Sequence, residues 1–252
     1  MESVKFSHVI RKIKFFLLGR YYYLREIISP SKIKSAKAIP IIINNFNRIF
    51  SLKKLIEGLE RTGYTNIYII DNNSTYQPLL EYYKKCRYKI FLLKENVGYK
   101  ALWKTDISKL FCNDYYIYTD SDLALVDACP DDFIDYLFLK LKQYKFAPKI
   151  GLSLRLDNIP AFYNNKKQVI EWETKYYTNA NPEGLFRAPI DTTFALYRPR
   201  VGLSRSRFVE SYRTPFPYQA EHLPWYNDSE HLNKEDKYYI NHCKAFSSWS
   251  SK

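Results

Sequence analysis

The sequence predicts an α/β fold with a mainly parallel central sheet, helices on both of its faces and a smaller mixed region after it. Three features carry that expectation. Apolar runs of strand length recur at 38–43, 66–71, 88–93 and 115–120, and stretches with helical periodicity stand between them. Alternation of this kind lays parallel strands side by side with their connecting helices packed on the faces. Each run also ends in polar, turn-forming residues, which would meet along the rim where such sheets bind ligands.

The elements follow in order. Residues 1–36 form a basic N-terminal segment in which Val9, Ile13, Phe16 and Leu17 fall at helical spacing, with Arg11, Lys12, Lys14 and Arg20 spread over the rest. It fits either a helix lying in the plane of an acidic membrane surface or one packed on the chain's own surface. From 37 to 130 the rhythm is regular. "AIPIII" is the first strand, "RIFSLKKLIEGLERTG" a helix stopped at Gly63, and "NIYIID" the second strand. "QPLLEYYKKC" is a short helix, "YKIFLL" the third strand, "YKALWKTDISKLF" (99–111) a single helix and "YYIYTD" the fourth strand. Residues 131–252 are less regular. "CPDDFIDYLFLKL" (129–141) is a helix, while "KIGLSLRLDNIP" and "APIDTTFALYR" are strands of a second half that forms one compact unit with the first.

Composition sets limits on function. The 252 residues are 46% hydrophobic, enough for a substantial core. Thirty-nine basic against 26 acidic residues leave a net charge of +13, which fits an anionic partner or a compositional bias without one. Cys86, Cys112, Cys129 and Cys243 stand far apart with no zinc spacing, so they are expected as free thiols. "FFLLG" (15–19) is too short for a secretory signal, and no segment approaches the roughly 20 apolar residues that cross a bilayer. The expected location is the cytoplasm, with a peripheral place on the cytoplasmic face of a membrane as a further option.

The chemistry gathers after the strands. Asn44, Asn45 and Asn47 follow the first, "DNNST" (71–75) the second, "KENVG" (94–98) the third and Asp120-Ser121-Asp122 the fourth. Side chains two apart on an extended segment share a face, so Asp120 and Asp122 can converge on one cation. Oxygen ligands of this kind suit Mg2+ or Mn2+, which keep positions for water or substrate phosphate. A solvated turn is the alternative. Asp71 closes the second strand, where a carboxylate can meet a nucleotide's base or ribose or close an Asx-turn.

"IPIIINNFNR", "IYIIDNNST", "ENVGYKALW" and "YIYTDSDL", in that order, resemble the nucleotide-sugar-binding half of a GT-A (Rossmann-like) glycosyltransferase close to family 2. The similarity covers residues 38–130. It implies a UDP-sugar, or less readily a GDP-sugar, held by residues 37–130, and a glycan or lipid-linked acceptor held by 131–252, as in surface polysaccharide or lipopolysaccharide assembly. Asn44 and Asn47 would border the nucleotide, Asp71 would meet its base or ribose, and Asn96 and Gly98 would line the donor pocket. Asp120 and Ser121 would serve the ribose, and Asp120 and Asp122 the metal. His222 is a candidate third ligand to Mn2+ or Mg2+. A carboxylate in the acceptor half would act as base, with Asp191 first, then Glu173 and Glu235. Trp172, Trp225 and Tyr226 could stack on sugar rings.

Two other classes share parts of this pattern. A nucleotidyltransferase also joins such a sheet to paired acids, but "NNFNR" is not the Gly- and Lys-rich phosphate loop it needs. A basic nucleic-acid-binding module would use the charge and the tyrosines. Carboxylates gathered at the strand ends would repel it.

Overall fold

The computed structural model describes residues 2–202 and 211–243, with side chains at position 13 and from 16 onward. A long helix α1 (Glu2–Ile28) leads into a Rossmann-like succession: β1 (Ile41–Asn45), α2 (Phe50–Arg61), β2 (Ile67–Asp71), α3 (Gln77–Lys85) and β3 (Lys89–Leu92). Two short helices follow, α4 (Ala101–Lys104) and α5 (Ile107–Phe111), then β4 (Tyr116–Asp120), β5 (Leu123–Leu125) and α6 (Phe133–Gln143). The remainder is β6 (Lys149–Gly151), β7 (Ser153–Leu154), α7 (Lys166–Thr174), β8 (Phe186–Arg187), β9 (Ala195–Tyr197), β10 (Ser211–Arg213), β11 (Gln219–His222) and α8 (Lys234–His242).

Eight strands form the main sheet in the order β3-β2-β1-β4-β9-β6-β10-β8, and β5-β11-β7 form a small second sheet. The four strands expected from the sequence, β3-β2-β1-β4, are parallel. Beyond them β9 runs antiparallel to both β4 and β6, so the sheet is mixed. The apolar runs alternate between the two faces as strand geometry requires. Ile41, Ile43, Ile67, Ile69 and Ile117 pack with α2, α3 and α6, while Ile42, Ile70, Tyr116 and Tyr118 pack with α4 and α5. Helices therefore cover both faces of the sheet.

Two expectations are corrected. The helix expected over 99–111 breaks at Thr105, whose backbone is extended. The Thr105 hydroxyl donates to Ala101 O at 2.9 Å, taking a carbonyl that a continuing helix would use. The strand expected in "KIGLSLRLDNIP" splits between two sheets: β6 pairs with β9 and β10, while β7 pairs with β11. Leu152, between the two, donates its N–H to Phe194 O at 2.9 Å. Gly151 permits the crossing, because a Cβ there would lie 2.5 Å from the same Phe194 O.

The N-terminal segment is helical, and the side chains of Val9, Arg11, Lys12 and Lys14 lie outside the described residues. No described helix is long and apolar enough to cross a membrane. The four cysteines are free thiols.

Candidate active site

The carboxyl ends of β1, β2 and β4 come together in register, with Asn44 opposite Asp120 and Asn45 opposite Asp71. Parallel pairing brings these polar ends onto one rim, and the side chains there form a hydrogen-bonded lattice of two adjoining series. Asn44 Nδ2 donates to Asp120 Oδ1 at 3.1 Å, and Asn72 Nδ2 donates to Asn44 Oδ1 at 2.8 Å. Asn72 also donates to Gly98 O at 3.0 Å and accepts from Val97 N at 3.0 Å, which fastens the loop after β3 to the loop after β2. Ser121 Oγ donates to Asn45 Oδ1 at 2.6 Å, and Asn45 donates to the Tyr83 hydroxyl at 2.8 Å. Tyr83 donates in turn to Asp71 Oδ2 at 3.0 Å.

Most of the residues expected to touch a nucleotide are buried parts of this lattice. Asp71 is 2% exposed, and its other oxygen accepts from Ser74 N at 2.8 Å, closing the Asx-type turn that the sequence also allowed. Asn47 is fully buried with φ of 52°, and its side-chain oxygen accepts from Thr75 N and Tyr76 N. Asn44 and Ser121 are buried as well. These groups hold the loops at the rim. Asn96 and Gly98 are half-buried. Asn96 Oδ1 accepts from Gly98 N at 2.9 Å, and no atom lies within 4 Å of where a Gly98 Cβ would stand, so the loop after β3 borders open space.

Asp120 and Asp122 have divergent surroundings. Asp120 accepts at one oxygen from Asn44 and at the other from the Thr192 hydroxyl, while its N–H donates to Thr192 O at 2.9 Å. Burial, and then the charge of Asp122, push the Asp120 carboxyl well above the ordinary range against those two donors. For Asp122 burial acts in the same direction, but His222 and then Arg48 outweigh it and hold the carboxyl below its usual value. His222 Nε2 lies 3.5 Å from Asp122 Oδ2. Of the two, Asp122 is therefore the one held ionised.

Arg48 and the C-terminal helix enclose this charge. The buried Arg48 guanidinium pairs with Asp236 at 2.7 Å and lies 4.0 Å from the Tyr239 ring centre, both on α8. Glu235, one of the expected bases, instead accepts the Ile49 and Phe50 N–H groups at 2.7 and 2.8 Å, at the amino end of α2. That end has no side-chain cap of its own, and the carboxylate supplies one from across the chain. Glu173 pairs with Arg213 at 2.6 Å, both buried. Asp191 differs from both: it is exposed, precedes Thr192, and acts electrostatically on Asp120.

The metal implied by the resemblance can be tested against these donors. Among the described residues no three His, Cys, Asp or Glu side chains gather into a cage. Mg2+ and Mn2+ do not require one, since they are commonly held by one or two carboxylates plus substrate phosphates. Asp122 fits, with an ionised carboxylate facing His222. His222 is the weaker ligand, because its Nδ1 is buried without a partner and a metal on Nε2 would leave the Nδ1 proton unanswered. Asp120 has both oxygens engaged. Trp225, expected as a sugar platform, is 2% exposed and belongs to the core, whereas Trp172 is 41% exposed. The Tyr226 hydroxyl donates to Asn158 Oδ1 at 2.6 Å.

Sequence reasoning missed Thr192, Arg48, Asn72 and Lys149. Lys149, at the start of β6, is buried and donates from Nζ to Ile190 O at 2.5 Å and to the Tyr197 hydroxyl at 3.3 Å. It thereby anchors the segment that carries Asp191 and Thr192. Burial pushes its ammonium down to about 7, against the charge of Asp191. The folded value is lower than the unfolded value of about 10.4, so between them the unfolded chain binds more protons and stability rises with pH. From pH 7 to pH 9.5 the wild type is expected to gain up to about 3 kcal/mol more than Lys149→Met. Urea titrations of both proteins at the two pH values measure that difference.

No protein-family model matches the sequence, and no curated protein matches it. Among solved structures, residues 1–349 of TarS from S. aureus align at 12% identity over 74% of this chain and 60% of that one, with a TM-score of 0.45. Glucosyl-3-phosphoglycerate synthase from Mycobacterium tuberculosis, in complex with phosphoglyceric acid, aligns at 12% identity over 65% of this chain and 59% of that one, with a TM-score of 0.41. A cytidylyltransferase from Leptospira borgpetersenii aligns at 10% identity over 64% and 60%, with a TM-score of 0.36. This chain thus spans about 60% of the length of each of these. Its own sheet, with β3-β2-β1-β4 parallel and their polar ends on one rim, is consistent with the GT-A type of fold.

Proposed function

We propose that this chain is a glycosyltransferase that moves a sugar from a nucleoside diphosphate, UDP ahead of GDP, to a hydroxyl of a glycan or lipid-linked acceptor. The observation that carries the reading is the persistently ionised Asp122, set between His222 and Arg48 where the carboxyl ends of parallel strands meet. Such a rim is where α/β sheets bind nucleotides. Bound at Asp122 and His222, Mn2+ or Mg2+ would offset the negative charge that gathers on a departing diphosphate.

The chain's own residues would do the rest. The buried lattice of Asn44, Asn72 and Asp71 fixes the loops so that the half-buried Asn96 and Gly98 border the donor. Arg48 adds a fixed positive charge beside Asp122. Exposed Asp191 is the proposed base: as the acceptor oxygen bonds to the anomeric carbon and the bond to the diphosphate breaks, Asp191 takes the hydroxyl proton. Thr192 and Lys149 hold Asp191 beside Asp120. Glu173 and Glu235 are left out of the chemistry, because both are engaged in buried contacts.

A screen of nucleotide sugars for slow hydrolysis, with and without Mn2+, tests the reading. Release of UDP or GDP from at least one donor, dependent on the metal, is expected. No hydrolysis or transfer from any donor under either condition would refute it.

A further inference from the structure

The described part of α1 has two unlike faces. Its inner face is fastened to the domain: Glu26 pairs with Arg198 at 2.6 Å and accepts from the Tyr115 hydroxyl, Tyr22 packs against the core, and Tyr23 meets Phe146 edge-on. Gly19 is buried there, and a Cβ at that position would collide with Phe146 O. The outer face carries Ile13, Phe16, Leu17, Leu24, Ile27 and Ile28, between 48% and 81% exposed. At helical spacing these six form one stripe along the side turned away from the protein.

An apolar stripe facing water on an otherwise packed helix calls for a cover, and the charges along it select one. Arg25 stands exposed on one border beside Tyr21, with its guanidinium donating to the Tyr21 hydroxyl at 2.9 Å. Helical spacing puts position 14 on that same border and positions 5 and 12 on the other, and the sequence has lysine at all three. Residues 2–28 hold six Lys and Arg against two Glu, and 29–37 add three lysines and no acid. Within the stripe, the half-buried Arg20 guanidinium lies 3.2 Å from the Phe16 ring centre and 4.3 Å from that of Phe146, and donates to Phe16 O at 3.3 Å, which places one positive charge inside the apolar surface. A second copy of the helix would bring like charges together along both borders. Anionic lipid headgroups would meet both borders at once while the acyl boundary takes the stripe.

We propose that α1 is an in-plane membrane anchor that docks this chain on an anionic lipid surface. It is fastened at the amino end of β4, where Lys32 N donates to Asp114 Oδ2 at 2.8 Å, whereas the candidate site lies at the carboxyl end of that strand. Docking therefore leaves the rim open, and the proposal stands or falls separately from glycosyl transfer.

Co-sedimentation of the full chain with vesicles tests it. Vesicles containing about a third phosphatidylglycerol should bind at least about ten-fold more protein than phosphatidylcholine alone, and salt should weaken the binding. Leu17→Asp with Leu24→Asp, at positions 58% and 56% exposed, should abolish binding without moving the melting transition. Lys14→Glu with Arg25→Glu should remove the preference for anionic lipid. Binding of the Leu17/Leu24 variant equal to wild type would overturn the proposal. So would a wild type that ignores both vesicles and forms a dimer which that variant dissolves, since the cover would then be a second copy.

Discussion

Asp122→Ala is expected to lower metal-dependent turnover of the nucleotide-sugar donor by at least about 10³-fold while the chain stays folded. The size follows from what the residue alone supplies. Of the two carboxylates after β4, Asp120 is pushed toward its neutral form by burial and by its neighbour, and both its oxygens are hydrogen-bonded. Asp122 is held below its usual carboxyl value and lies 3.5 Å from His222, which under the proposed function makes it the carboxylate of the pair that would attract a cation. The fold tolerates the loss because Arg48 keeps its ion pair with Asp236, so no charge is stranded. Steady-state release of UDP, with a thermal melt beside it, checks both halves. Retention of more than about a tenth of the activity would remove Asp122 from the chemistry.

Glu173→Ala has the opposite signature, a large effect on stability and a small one on catalysis. The carboxylate and Arg213 are both buried at 2.6 Å, and Arg213 also donates to Pro189 O at 3.0 Å. Burial works against the Arg213 charge, and Glu173, with Tyr177, offsets it. Removing one partner of a buried pair leaves the other uncompensated, which costs about 3–5 kcal/mol. In a chain of this size that lowers the melting temperature by roughly 6–20 °C. Specific activity of the folded fraction should remain within about three-fold of wild type. A stable Glu173→Ala protein without turnover would restore Glu173 as a candidate base.

The contrast between these two carboxylates shows what the sequence could and could not reveal. The four parallel strands and their shared rim were legible because each is a mainly apolar run followed by polar, turn-forming residues, with Asn or Asp closing β1, β2 and β4, a local pattern. The second half is built differently: β6, β7 and β9 are two or three residues long and exist through pairings with distant strands. No local periodicity announces them. The same holds for the acids. Glu173 meets its arginine 40 positions along the chain, and Asp236 meets Arg48 across 188, so in sequence each resembles a free carboxylate. Thr192 was hidden beside Asp191 because a hydroxyl that holds a carboxylate has no spacing signature. Lys149 was hidden because a buried lysine in a short strand looks like any surface one.

The central claim is that Asp122 recruits a cation and, through it, a diphosphate. Calorimetric titration of UDP into wild type and Asp122→Ala, each with and without Mn2+, measures this directly. UDP should bind the wild type only when the metal is present, and should not bind the variant. UDP binding of equal strength in all four titrations, or no binding to the wild type with metal, would contradict the account.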